Sequence, residues 1–273
     1  MRRFLLTILV LTVSLSAFPE YVTPDRKPKQ TATLPHQAKP DELPRAPHAQ
    51  QSIAPIVDPL GRHTRVFTAN GTSGSYGIDV SHYQGNIDWK QVAQDGRVGF
   101  VYIKATESSG LVDGTYRRNL EGARAAGIPA GVYHFFSPTA TVQQQLSNFF
   151  SNVDPKEQDL VPIIDVEAPP RGSVSEYVSR LRNFIDGVAE RFGCKPIIYT
   201  GPHFHQKYLL GSFTDCRFMF ARYNQEAPVP AEKVHFILWQ FTASGSIKGI
   251  RGNVDRSQFM SPFKLRDILY HGK

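Results

Sequence analysis

VPIIDVE, residues 161–167, is the stretch on which the fold turns. Val161, Pro162, Ile163 and Ile164 run without a break into Asp165 and Glu167, which flank Val166. A short apolar run bounded by loop residues is the mark of a strand buried on both faces. Side chains alternate across a strand, so Asp165 and Glu167 are expected on one face and Val166 on the other. At about 3.3 Å of rise per residue, the two Cβ atoms stand roughly 6.6 Å apart. Two carboxyls at that spacing can act on one substrate bond, and crowding them at a buried strand end separates their proton affinities. Such a pair suits cleavage of a glycosidic bond. Two strand-end acids that cap a helix or pair with an arginine would read the same in this stretch.

On either side of this run, short apolar segments alternate with helical patterns from Tyr76 onward. Strands are expected at 76–80, 98–104, 130–135, 161–166, 196–200, 217–222, 235–240 and 250–255. Helices are expected at 87–95, 114–126, 141–153, 173–192 and 203–210. The helix at 173–192 is the clearest. Ser173 and Glu176 suggest a capping box, Val174, Tyr177, Val178, Leu181, Phe184, Ile185 and Val188 recur at helical spacing, and Gly193 ends it. Repeated β–α units imply a parallel sheet with right-handed crossovers. Five of them followed by three closely spaced strands predict an α/β fold, an irregular TIM-like (β/α)5β3 barrel. An open doubly wound sheet is the alternative, but no glycine-rich phosphate loop follows the first strand.

In such barrels the chemistry gathers at the C-terminal strand ends. Polar and aromatic residues collect there: Asp79, Lys104 with Thr106 and Glu107 beyond it, His134, Asp165 and Glu167, Tyr199, Arg222 and Tyr223, Trp239 and Gln240, and Asp255. Aromatic faces beside convergent acids are what a sugar cleft requires. Each residue also has a plainer reading. His134 could be a satisfied core residue, Lys104 could pair with a nearby acid, and Tyr199 and Trp239 could pack the barrel mouth.

The N-terminal part has a different character. Arg2 and Arg3, an apolar stretch from Phe4 to Val13 and small residues before Pro19 lay out a secretory signal over residues 1–18. Phe4–Ala17 would span about 21 Å as a helix, short of the roughly 30 Å hydrocarbon core that a retained anchor must cross. Residues 19–75 hold nine of the chain's 20 prolines and no apolar period, the composition of a disordered tether. The barrel occupies 76–273. The expected location is therefore outside the cytoplasm: periplasmic, attached to the cell envelope or extracellular, with a membrane tether if the N-terminal segment is kept. The formal charge of +7 is spread out, and residues 76–273 account for only +3 of it. No basic run resembles a nucleic-acid footprint. HExxH is absent and the nine histidines are scattered, so neither metal nor cofactor is expected, and HFH at 203–205 reads as a surface feature. A monomer is expected. Cys194 and Cys216 each precede a strand at the same end of the sheet, where they could form a disulfide or remain two thiols.

The chain also resembles glycoside hydrolase family 25, the muramidases that cleave peptidoglycan. The resemblance is carried by GIDVSHYQGNIDW (77–89), YIKATE (102–107), GVYHFF (131–136), DVE (165–167), PIIYTG (196–201), LWQF (238–241) and GNVDRSQF (252–259). It implies a (β/α)5β3 barrel acting on glycan strands of peptidoglycan, at the β-1,4 bond between N-acetylmuramic acid and N-acetylglucosamine. It further implies that Glu167 is the general acid and that Asp165 stabilises the oxocarbenium-like centre or orients the substrate's N-acetyl group. Asp79 and Asp255 match the family's two other cleft acids. Two departures concern substrate binding. Phe220 stands where tryptophan is frequent, and Arg256 follows Asp255, where it is expected to lower that carboxyl's pKa. A catalytically inactive wall-glycan binder and a chitinase-like glycosidase are the alternatives. The DGxDxDxE pattern of the latter is missing, since Ile163 and Ile164 precede Asp165.

Overall fold

The structure, a computed structural model, describes residues 76–272. The expected signal at 1–18 and tether at 19–75 lie outside the described residues. From its first strand the chain alternates as expected. β1 (Tyr76–Val80), α1 (Trp89–Asp95), β2 (Val98–Glu107), a two-residue β3 (Leu111–Val112), α2 (Tyr116–Ala125), β4 (Ala130–Phe135) and α3 (Val142–Asn152) come first. They are followed by β5 (Ile163–Asp165), α4 (Val174–Phe192), β6 (Ile197–Thr200) and α5 (Pro202–Phe204), which widens into a π-helical turn at His205–Leu209. The chain then runs through β7 (Arg217–Ala221), β8 (His235–Gly245) and β9 (Val254–Phe259) with no helix of comparable length between them.

The sheet order β1-β9-β8-β7-β6-β5-β4-β2 closes through a parallel β1–β2 pairing, and β3 hangs from the end of β2 as a hairpin. Every barrel pairing is parallel except the two made by β9, which runs antiparallel to both β8 and β1. This is the (β/α)5β3 barrel. The last strand sits at 254–259 instead of 250–255. Gly249 and Gly252 lie at φ +93° and +81° in the turn that reverses the chain, and pairing begins only beyond it.

Two apolar clusters divide each strand's side chains. One fills the barrel: Phe100, Tyr102, Leu160, Ile163, Ile197, Met219 and Leu238, among others. Its counterpart lies between strands and helices and takes Ile78, Ile103, Val132, Ile164, Val166, Ile198 and Phe220 from the outer strand faces, with Leu181, Phe184 and Val188 from α4. Interior room is tight at Gly131, where an added Cβ would stand 2.8 Å from the Tyr102 ring. The long helix forms where its spacing predicts. Ser173 accepts the Glu176 N–H at 3.1 Å, and Gly193 ends the helix in the left-handed conformation at φ 77°. The reciprocal capping box forms on α3 instead, between Thr141 and Gln144.

Candidate active site

Ile163 belongs to the interior cluster and Ile164 to the outer one, so alternation turns Asp165 inward. Pairing continues past the strand. Val166 N–H donates to the Tyr199 carbonyl at 2.8 Å and Val166 packs outward, which returns Glu167 to the face of Asp165. The two acids therefore share the C-terminal mouth of the barrel, Asp165 only 9 % exposed and Glu167 exposed to solvent. Buried Asp165 Oδ1 has no hydrogen-bond partner among the described residues.

Opposite them, β1 and β9 place Asp79 and Asp255 directly side by side. Their like charges oppose each other at a Cβ separation of about 4.5–5.5 Å. Burial first, then Asp255, pushes the Asp79 carboxyl up to about 7, against a hydrogen bond from Gln240. Burial alone pushes Asp255 to about 6. Arg256 does not lower it: the neighbouring position faces the other way, and the Arg256 guanidinium stacks 4.3 Å from the Tyr76 ring centre. Gln240 joins the walls of the mouth. Its Nε2 donates to Asp79 Oδ2 at 2.9 Å, while its Oε1 accepts the hydroxyls of Tyr199 and Tyr223, each at 2.9 Å.

The acid pair sits above its ordinary range. Asp165 is pushed well up by burial and then by Glu167. Glu167, although its side chain reaches solvent, is raised by partial desolvation in the crowded mouth and then by Asp255. Lys104 opposes both shifts, and its Nζ pairs with Glu107 Oε2 at 2.6 Å. Two mutually repelling carboxyls in one partly dry site hold on to one proton between them as the pH rises.

Asp79, Lys104, Asp165, Glu167, Tyr199, Tyr223, Gln240 and Asp255 thus come together as expected. The other residues named from the sequence are placed differently. His134 lies on the outer face of β4, fully buried, bonded through Nδ1 to Thr106 at 2.7 Å and stacked on Phe184; burial lowers its pKa to about 4. It is the satisfied core residue of the plainer reading. Trp239 is on the face of β8 opposite to Gln240, level with outward-facing Phe220, and its Nε1 donates to the Arg222 carbonyl at 2.9 Å. Arg222 serves through its main chain: besides accepting that bond, its N–H donates to the Gln240 carbonyl at 3.0 Å. Cys194 and Cys216 are free thiols. Register pairs Ile197 with Arg217, so Cys194 lies two residues further back than the position opposite Cys216, or about 8 Å away across the sheet, beyond disulfide reach. His205, read as a surface residue, is also buried, edge-on to Phe218 and Phe220.

Tyr133 was missed. It is packed against the interior cluster, and burial first and Asp165 second push its hydroxyl well above the ordinary tyrosine range. The signal was alternation: Val132 and His134 share one face of β4, which leaves Tyr133 on the other.

Similarities to known proteins agree with this geometry. A model of the family "Glycosyl hydrolases family 25" matches residues 78–250. Escherichia coli YegX is 37% identical over 188 residues, covering 67% of this chain and 69% of its own. Lysozyme M1 of Streptomyces globisporus is 31% identical over 243 residues, covering 79% and 82% respectively. Among solved structures, the bacterial lysozyme of Streptomyces coelicolor superposes with a TM-score of 0.63 at 31% identity, over 72% of this chain and 96% of that one.

Proposed function

The chain belongs to family 25 of the glycosyl hydrolases and is a glycoside hydrolase; we propose that it acts as a muramidase, cleaving peptidoglycan between N-acetylmuramic acid and N-acetylglucosamine. The observation that carries this reading is the pair of raised carboxyls at the end of β5, one reaching solvent and one buried with an unmet oxygen. Glu167 is the general acid: it reaches the cleft, and a carboxyl raised above its ordinary range keeps its proton to a higher pH than a free one. Asp165 is the anion of the productive state. By itself burial favours the proton on Asp165. A substrate acetamido N–H that donates to Asp165 Oδ1 would satisfy that oxygen, stabilise its charge and shift the shared proton to Glu167. Glu167 then protonates the leaving oxygen, while the Asp165 charge steadies the oxocarbenium-like centre or holds the acetamido group in line for attack. Asp79 and Asp255 line the opposite wall, where their carboxyls accept sugar hydroxyls.

The enzyme works outside the cytoplasm. The support is the charged, apolar and small-residue order of residues 1–18 and the proline-rich stretch to residue 75, which would hold the barrel against wall glycan.

Mass analysis of products from defined peptidoglycan tests the activity and the acid together. The wild-type chain should release fragments ending in reducing N-acetylmuramic acid, and Glu167→Gln should fold normally with turnover down by about 10³-fold or more. New N-acetylglucosamine reducing ends would overturn the bond assignment, and wild-type rates in the variant would overturn the role of Glu167.

A further inference from the structure

Alternation along a strand puts residues i and i+3 on opposite faces. Lys104 and Glu107 nevertheless meet, Nζ to Oε2 at 2.6 Å. Register explains the contact. β2 and β4 keep step from Val101 opposite Ala130 to Lys104 opposite Tyr133, then resume with Thr106 opposite His134 and Glu107 opposite Phe135. Ala105 is the extra residue of a β-bulge. Before it, Tyr102 faces the barrel interior and Ile103 the shell. Beyond it, Thr106 faces the shell and Glu107 turns toward Lys104.

A bulge interrupts the ladder, and this one is held from behind. Thr106 Oγ1 meets His134 Nδ1 at 2.7 Å, and His134 Nε2 lies 3.4 Å from Gln145 Oε1 on α3. An amide oxygen facing Nε2 places the ring proton there, so Nδ1 accepts the Thr106 hydroxyl. Gln145 is itself fixed: its oxygen accepts the Ser137 N–H at 2.7 Å and its Nε2 donates to the Ser137 carbonyl at 3.0 Å. One helical turn on, Asn148 Nδ2 donates to the carbonyls of Glu107, Ser108 and Leu111 at 3.2, 3.1 and 3.1 Å. Ser108 takes φ 51°, a conformation that residues other than glycine rarely adopt.

We propose that Lys104 and Glu107 form a positioning pair for the two catalytic acids, and that the bulge pinned by Thr106, His134 and Asn148 sets how much of the Lys104 charge reaches them. The titratable groups that act on one another across this mouth are Asp79 on β1, Tyr133 on β4, Asp165 and Glu167 at β5, Tyr199 on β6, Tyr223 beyond β7 and Asp255 on β9. Lys104 is the cation that acts on both Asp165 and Glu167. While Glu107 holds the ammonium, part of its field is cancelled, and the acids keep their shared proton. Released from Glu107, the ammonium would draw that proton off at lower pH. The consequence for rate rests on the muramidase reading, whereas the pair and its pin do not.

The test follows the Glu167 carboxyl by ¹³C NMR in the full-length chain, alongside the pH profile of glycan hydrolysis. Glu107→Gln should lower the Glu167 midpoint by about one pH unit and move the alkaline limb of the profile with it. Thr106→Val, which cuts the pin outside the cleft, should move both the same way by a smaller step. Lys104→Met should move them the opposite way, and it carries the test with Thr106→Val if Glu107→Gln does not fold. Midpoints unmoved in folded variants would overturn the pair. A shift with Glu107→Gln but none with Thr106→Val would overturn the pin. A wild-type chain with no hydrolysis would sink the muramidase reading alone, because the NMR midpoints still decide the pair.

Discussion

Asp165 and His134 occupy adjacent strands one register step apart, Phe135 being the partner of Asp165, and both are buried where the barrel opens. Their surroundings differ sharply. His134 faces the helices, with both ring nitrogens engaged and aromatic rings at 4.9 and 5.6 Å. Asp165 faces the axis, with one oxygen unmet and three acids acting on it. Burial of a polar group does not distinguish the two residues. Crowded like charge does: His134 meets a neutral hydroxyl and an amide, whereas Asp165 meets the charges of Glu167, Asp79 and Glu107.

The contrast can be broken at His134. His134→Leu should cost about 2–3 kcal/mol by urea denaturation, since it strands the buried Thr106 hydroxyl, while turnover stays within about tenfold of wild type. Abolished turnover at unchanged stability would put His134 in the cleft after all. A smaller effect sharpens the contrast from the acid side. Asp79 has a folded pKa of about 7 against a reference of 3.8. The native chain therefore keeps a proton that the unfolded chain gives up. This contribution is full below about pH 4 and is lost as the pH rises through about 7. Asp79→Asn cannot ionise, and its neutral amide oxygen can still accept from Gln240. It should gain about 2 kcal/mol over wild type at pH 8 and much less at pH 5, read as the urea midpoint at each pH. An equal difference at both pH values would mean that Asp79 is not held protonated.

Much of the barrel was legible because period and punctuation carry it. Ser173 and Gly193 bound α4, and the alternation through VPIIDVE turned both acids inward. The strand ends named most of the mouth. What failed was facing. His134 and Trp239 bear chemistry and sit at strand ends, but Tyr133 and Gln240, their neighbours, are the ones that face inward. Nothing in YIKATE marks Ala105 as the bulge that returns Glu107 to the face of Lys104, since a bulge is defined by its partner strand. Arg256 was expected beside Asp255 in space because it is beside it in sequence, and a strand separates such neighbours across its two faces.

The most direct test is the ¹³C titration of the Asp165 and Glu167 carboxyls in the wild-type chain. Burial and mutual repulsion predict two separated steps, with one proton held by the pair well above the ordinary carboxylate range. Full ionisation of both by about pH 5, the ordinary range for exposed carboxyls, would contradict this and leave Glu167 without a proton to give.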